Sequence, residues 1–321
     1  MKNRHILWLF LLFLAGCESY WNYPAVEDVG KLYLECFPGT GEDSTVLILS
    51  RAHPVNRPAG RLSQDQVRVG LSVNASPVEW ASCREVEGGL RFVAPTTLSE
   101  GDAVALTVQD AEEAPVRSVS LVPPGPSFSY SRELTSEWRD RYHIMLETEM
   151  LASGRSFYGV SLEALAHNTI TQKDGSKVVE IVPFADLRYE MKEGESAPVS
   201  LGNRVEGRFH PVSSAGKGLI VFEVDENDPS PCELVLETPN IGYHYVWARP
   251  GVVALQCVYY RLVVYRLAPD TYRFLNPQEN ISLIGAGLVP PFSAQGNLQG
   301  VFGMFECVGR SVTEWLPGLG L

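Results

Sequence analysis

The chain has 321 residues, 45% of them hydrophobic, and a formal net charge of −12. That length and composition fit a globular chain with a sizeable core, usually in two domains, and exclude a disordered one. The acidic balance argues against nucleic acid as a partner and against electrostatic docking on anionic lipid.

Lys2 and Arg4 open the chain, and residues 6–14 are apolar. That run is too short to span a bilayer as a helix, which takes about 20 apolar residues. It ends in Leu14-Ala15-Gly16-Cys17. The sequence resembles the lipobox of bacterial lipoproteins, in which signal peptidase cuts before a cysteine whose sulfur carries a diacylglycerol. The resemblance implies a signal peptide over 1–16, a lipid on Cys17 and a tether over 17–30. Cleavage there removes Lys2 and Arg4 and no acid. No later segment has 18 uncharged apolar residues, so the lipid is the one membrane attachment expected. Tyr20, Trp21 and Tyr23 follow the anchor closely, where aromatic rings suit the headgroup level or the surface of the first domain.

From Lys31 the pattern has period two. Leu32, Leu34 and Cys36 alternate with Tyr33, Glu35 and Phe37, and Val67, Val69, Leu71 and Val73 repeat the motif. Further runs lie at 45–50, 90–93, 103–108 and 116–122, separated by Pro38-Gly39, Gly88-Gly89 and Glu100-Gly101-Asp102. Short alternating strands at this spacing predict an immunoglobulin-like β-sandwich over 31–122. Trp80 stands only three residues before Cys83, so the antibody-type Cys-Trp-Cys core is not expected. Pro123-Pro124-Gly125-Pro126 cannot continue a strand and sets the expected domain boundary.

Residues 127–321 read as a larger second β domain, so the fold class is all-β with few short helices. Tyr142, Ile144, Leu146, Thr148 and Met150 alternate with His143, Met145, Glu147, Glu149 and Leu151, and further strands are expected at 178–184, 218–224, 232–238 and 252–267. The last is long enough to be bent or bulged. Short helices are expected at 161–168, capped by Ser161, and at 269–275, started by Pro269. A strand over 301–307 is expected to close this second domain.

No catalytic pattern is present. The sequence has no HExxH, GxSxG or CxxC, and its histidines are scattered. It therefore points away from an enzyme, with an envelope hydrolase ranked last, and to no cofactor and no metal. Asp225-Glu226-Asn227-Asp228 lacks the EF-hand spacing and reads as a solvated turn. The best stacking surface is Tyr243-His244-Tyr245-Val246-Trp247. In a strand, Tyr243, Tyr245 and Trp247 share one face, which either binds a glycan or peptide or packs in a core. Asp43-Ser44-Thr45 resembles the O-glycosylation signal of Bacteroidetes envelope proteins, with Ser44 as acceptor. With Cys17 lipidated, Cys36, Cys83, Cys232, Cys257 and Cys307 remain, an odd number. A Cys36–Cys83 bridge and buried free thiols are both open, the second favoured.

Three stretches resemble the Bacteroidetes lipoproteins of domain-of-unknown-function family 4249. They are Lys31-Leu32-Tyr33-Leu34-Glu35 with Val46-Leu47-Ile48-Leu49-Ser50-Arg51, the segment 262–275 with Tyr272, Phe274 and Leu275, and Pro291-Phe292 through Gly296-Asn297 to Phe302-Gly303-Met304-Phe305. Residues 127–206 match the family poorly. The resemblance implies a lipid-anchored outer-membrane protein, periplasmic or surface-facing, associated with a TonB-dependent transporter. Its motifs are structural, so no active residue is carried over.

Overall fold

The computed structural model describes residues 30–51, 61–86, 89–110, 114–135, 139–149, 151, 153–172, 174–183, 190–197, 204–205, 218–239, 256–276, 298 and 300–318. The first eight strands are β1 (Leu32–Cys36), β2 (Ser44–Arg51), β3 (Val67–Val73), β4 (Ser76–Val78), β5 (Ser82–Val86), β6 (Gly89–Pro95), β7 (Ala103–Asp110) and β8 (Val116–Leu121). They form two sheets, ordered β1-β2-β6-β5 and β4-β3-β7-β8. The inward residues of both meet in one core: Leu34, Leu47, Leu49, Leu90 and Phe92 from one, Val67, Leu71, Val104, Leu106 and Val108 from the other. Trp80 closes that core from the side, edge-on to Phe92 at 5.5 Å, with its indole N–H donated to the Val69 carbonyl. This is the immunoglobulin-like sandwich read from period-two alternation.

The second unit contains β9 (Phe128–Leu134), β10 (Arg139–Leu146), β11 (Arg155–Thr171), β12 (Lys177–Pro183), β13 (Glu190–Glu193), β14 (Arg204–Val205), β15 (Leu219–Asp225), β16 (Cys232–Pro239) and β17 (Gln256–Leu267), then helix α1 (Pro269–Leu275). The chain ends with β18 (Phe302–Phe305), β19 (Gly309–Val312) and β20 (Leu316–Pro317). One sheet runs β13-β16-β10-β9; the other runs β14-β15-β11-β17-β19, with β12 on β11 and β20 on β17. Tyr142, Ile144 and Leu146 of β10 face Tyr158, Val160, Leu162 and Ala164 of β11 across the core. The bulge expected in the long strand occurs where Leu165 opposes Tyr259 but Ala166 opposes Cys257, leaving Val258 over.

Two expectations are corrected. Residues 161–168 are not a helix but the middle of β11. Leu, Ala and Glu favour helix there only weakly, and pairing on both edges overrides that preference. Ser161 caps nothing; it is buried in the strand. The closing strand does not complete the second domain either. β18 lies parallel to β1 in the first sandwich, with Phe302 opposite Tyr33 and Phe305 opposite Cys36. Leu298, Val301, Phe305 and Cys307 are buried in the first core. Gly303 permits the approach: its φ is +99°, and a Cβ there would stand 1.8 Å from the Leu34 carbonyl oxygen. The helix at 269–275 is found as read, with Pro269 in its first turn and Tyr272 and Leu275 buried.

Candidate functional site

The two sandwiches meet at a third core on the outer face of the β11–β17 sheet. Phe157, Leu219, Val221, Val263, Tyr265 and Leu267 supply the sheet side, and Tyr272 and Leu275 of α1 cover it. Tyr272 stacks on Phe157 at 4.8 Å between centroids. Phe37, from the turn after β1, reaches over to Phe274 at 6.1 Å, and Val308 joins from the last strands.

A buried ionic cluster sits in the same junction. The Arg310 guanidinium on β19 lies 3.3 Å from Glu163 on β11, and their side chains are 2% and 1% exposed. Arg310 also donates to the Gly41 carbonyl at 2.6 Å, and its Nε stands 3.7 Å from Glu42. Its backbone is tied to the same turn, since the Arg310 N–H donates to Thr40 Oγ1 and that hydroxyl donates to the Arg310 carbonyl. Glu163 takes a second arginine, Arg261, whose guanidinium lies 4.5 Å from the Trp315 ring centre. Burial alone lowers the basicity of Arg310, but Tyr265, Glu42 and Glu163 outweigh it and its pKa is raised. Burial pushes the Tyr265 phenol well above its ordinary value, with Arg310 acting the other way. The arrangement is a charge-compensated lock, in which each ion has its counter-ion.

A second polar array covers the outside of the β9–β10–β16 sheet. Arg141 holds Glu237 at 2.8 Å from Nε and Glu133 at 3.0 Å. His143 pairs through Nδ1 with Glu233 at 2.9 Å, and its Nε2 is 3.6 Å from Glu133. The hydrogen bond from His143 is the main cause holding the Glu233 carboxyl below its ordinary value. The two histidine nitrogens face different carboxylates, so the array is a cross-strand charge ladder rather than a chelate. Among the described residues no group of three or more His, Cys, Asp or Glu is placed to hold a metal ion.

The residues singled out in the sequence fare differently. Cys17, Tyr243, Tyr245 and Trp247 lie outside the described residues. Ser44 is the first residue of β2, half-buried, opposite Pro95. Its neighbour Thr45 points into the fold and shares a hydrogen bond of 2.8 Å with Thr96. The acidic turn spends its oxygens on its own backbone, Asp228 accepting from the Asp225 N–H and Asp225 from the Asn227 N–H. Cys36, Cys83, Cys232 and Cys307 are free thiols, and β2 and β6 separate Cys36 from Cys83. Burial pushes Cys232 up to about 11 and Cys307 up to about 12, which suppresses thiolate chemistry. Sequence reasoning did not single out Arg310, Glu163 or Arg261. The one available signal was a glutamate at 163 inside the apolar run Val160–Ala166 of a buried strand.

Among the described residues no helix is long and apolar enough to cross a membrane. The fold thus defines a class of two-sandwich β proteins whose last strands stitch the units together. A family model described as "Domain of unknown function (DUF4249)" matches residues 22–314, and the chain belongs to that family. No curated protein matches. Among solved structures, the adhesin InvE of Yersinia pseudotuberculosis aligns at 11% identity over 74% of this chain, with a TM-score of 0.19. The collagen adhesin of S. aureus aligns at 8% identity over 74% of this chain and 87% of its own, again with a TM-score of 0.19. The chain spans 57% of the length of InvE, and likeness at this level says nothing of ligands.

Proposed function

We propose that this protein is a non-catalytic, lipid-anchored envelope protein that serves as an accessory component of an outer-membrane uptake or assembly complex, with a TonB-dependent transporter as partner. The observation that carries the reading is Leu14-Ala15-Gly16-Cys17 placed directly after the apolar run 6–14. Membership of a family described only as a domain of unknown function is compatible with that reading. Replacing Cys17 with Ala should release the protein from washed membranes, because a lipid anchor is the attachment invoked. Persistence of Cys17→Ala in the membrane fraction after salt and carbonate washes would sink the reading. Affinity purification of the acylated protein from solubilised membranes should recover a β-barrel transporter. The rival function is direct capture of a glycan or peptide by Tyr243, Tyr245 and Trp247. Calorimetric binding by the purified Cys17→Ala chain, lost when the three are replaced by Ala, would favour capture.

A further inference from the structure

β9 is the last strand of the β13-β16-β10-β9 sheet, and one of its side chains bridges to the facing sheet. Tyr142, Ile144 and Leu146 of β10 face the core, so their partners on β9 share that face. Arg132 is opposite Tyr142, Tyr130 opposite Ile144, and Leu134 opposite Asp140. Asp140 precedes Tyr142 by two residues and is buried with it. Arg132 ties the group together. Its Nη2 lies 3.2 Å from Asp140 Oδ2, and its Nη1 donates to the Pro317 carbonyl on β20. The guanidinium carbon is 5.3 Å from the Tyr142 ring centre and 5.9 Å from that of Tyr260 on β17. Two donors in this cluster are left over. Arg132 Nε and the Tyr142 hydroxyl are both buried and have no hydrogen-bond partner in the fold. Buried donors of this kind cost free energy until an acceptor meets them. Burial pushes the Tyr142 phenol well above its ordinary pKa, so it keeps its proton.

We propose that Arg132 and Tyr142 form a binding site for one uncharged hydroxyl oxygen, which accepts from Arg132 Nε and from the Tyr142 hydroxyl. The charges decide against an ion. Asp140 already neutralises Arg132, so an anion would meet Asp140 and a cation would meet Arg132. A hydroxyl has lone pairs for both donors. Its own proton can go to Asp140, since a carboxylate accepts several hydrogen bonds. Water and the hydroxyl of a saccharide share that chemistry. Tyr130 and Leu134, on either side of Arg132 along β9, are 39% and 41% exposed, so the site lies just inside the rim of the sandwich.

Tyr142→Phe reads the site by the sign of its effect. It keeps the ring beside Arg132 and removes only the hydroxyl. With an oxygen bound, the variant loses a hydrogen bond and should melt lower than the parent. A phenol that meets nothing carries only the cost of its burial, and its removal should raise the melting temperature. A crystal structure of the full chain gives a second reading: an ordered oxygen within about 3.2 Å of both donors, missing from Tyr142→Phe. A higher-melting Tyr142→Phe, or no such oxygen in the parent, overturns the proposal. Calorimetry with glucose, galactose and N-acetylglucosamine identifies the source of the oxygen. Heat of binding that vanishes in Tyr142→Phe indicates a saccharide hydroxyl, and an ordered oxygen without that heat indicates an internal water. Neither result depends on the lipid anchor, on a transporter partner or on Tyr243, Tyr245 and Trp247.

Discussion

At the scale of single residues, the strongest constraints lie where a side chain or backbone has no freedom to adjust. Ala75 sits at the tip between β3 and β4 with a φ of +65°, a left-handed conformation that costs an L-residue roughly 1–2 kcal/mol. Ala75→Gly should therefore stabilise the protein by about 0.5–1 kcal/mol after the entropy of glycine is set against it, read as a higher urea midpoint at unchanged slope. Gly303→Ala should do the reverse. Its Cβ would fall inside the Leu34 carbonyl, so the β1–β18 pairing must open, with loss of amide protection along both strands. Arg310→Met should cost about 3 kcal/mol or more, since it removes the buried guanidinium that Glu163 and Glu42 face and breaks the bond to the Gly41 carbonyl. The Glu233–His143 pair makes a pH prediction. The folded carboxyl of Glu233 is depressed below its unfolded value, so its stabilisation is present above the unfolded pKa and disappears as pH falls through the folded one. Glu233→Gln should flatten that acid limb of stability against pH and leave the alkaline side unchanged.

Among the elements, the last strands deserve separation from the domain that precedes them. β18 completes the first sheet, while β19, four residues later, pairs with β17 of the second unit. Between them Cys307 donates its N–H to Ser120 Oγ at 2.9 Å, and Ser120 donates to Glu306 at 2.7 Å, closing the side of the first sandwich at β8. Deleting residues 298–321 should thus destabilise the first sandwich as well as the second. Phe305 alone, fully buried in the first core, is worth about 3–5 kcal/mol on truncation to Ala. Hydrogen exchange should show the loss in β1 and β2, more than 250 residues away in sequence; unchanged protection there would contradict the role given to β18.

At the scale of the molecule, the two sandwiches share the Phe37–Phe274 contact, the core over α1 and the Arg310–Glu163 lock. The proline stretch 123–126 does not stand off as a free spacer. Gly125 is packed so closely on β19 that a Cβ would meet Ser311 Oγ at 2.4 Å, and Gly309 lies equally close to the Pro124 carbonyl. The chain should accordingly unfold in a single transition. A calorimetric scan with two separated peaks, one surviving Arg310→Met unchanged, would show that the junction does not couple the units.

The amino-acid sequence by itself determined the all-β class, most strand positions and the helix at 269–275. Those follow from side-chain alternation, turn residues and a proline at the first helical position, all of them local. Leu, Ala and Glu at 162–165 misled because their helical preference is worth only tenths of a kcal/mol, less than pairing along both edges of β11. Only the tertiary structure decided where β18 joins. Alternation reveals which face of a strand is buried and carries no information about which edge it pairs with, so Phe302-Gly303-Met304-Phe305 reads alike beside β17 or beside β1. The same holds for Arg310. It is an unremarkable charge in its own segment, and its meaning arises from Glu163, which the chain brings alongside only once the sheets have formed.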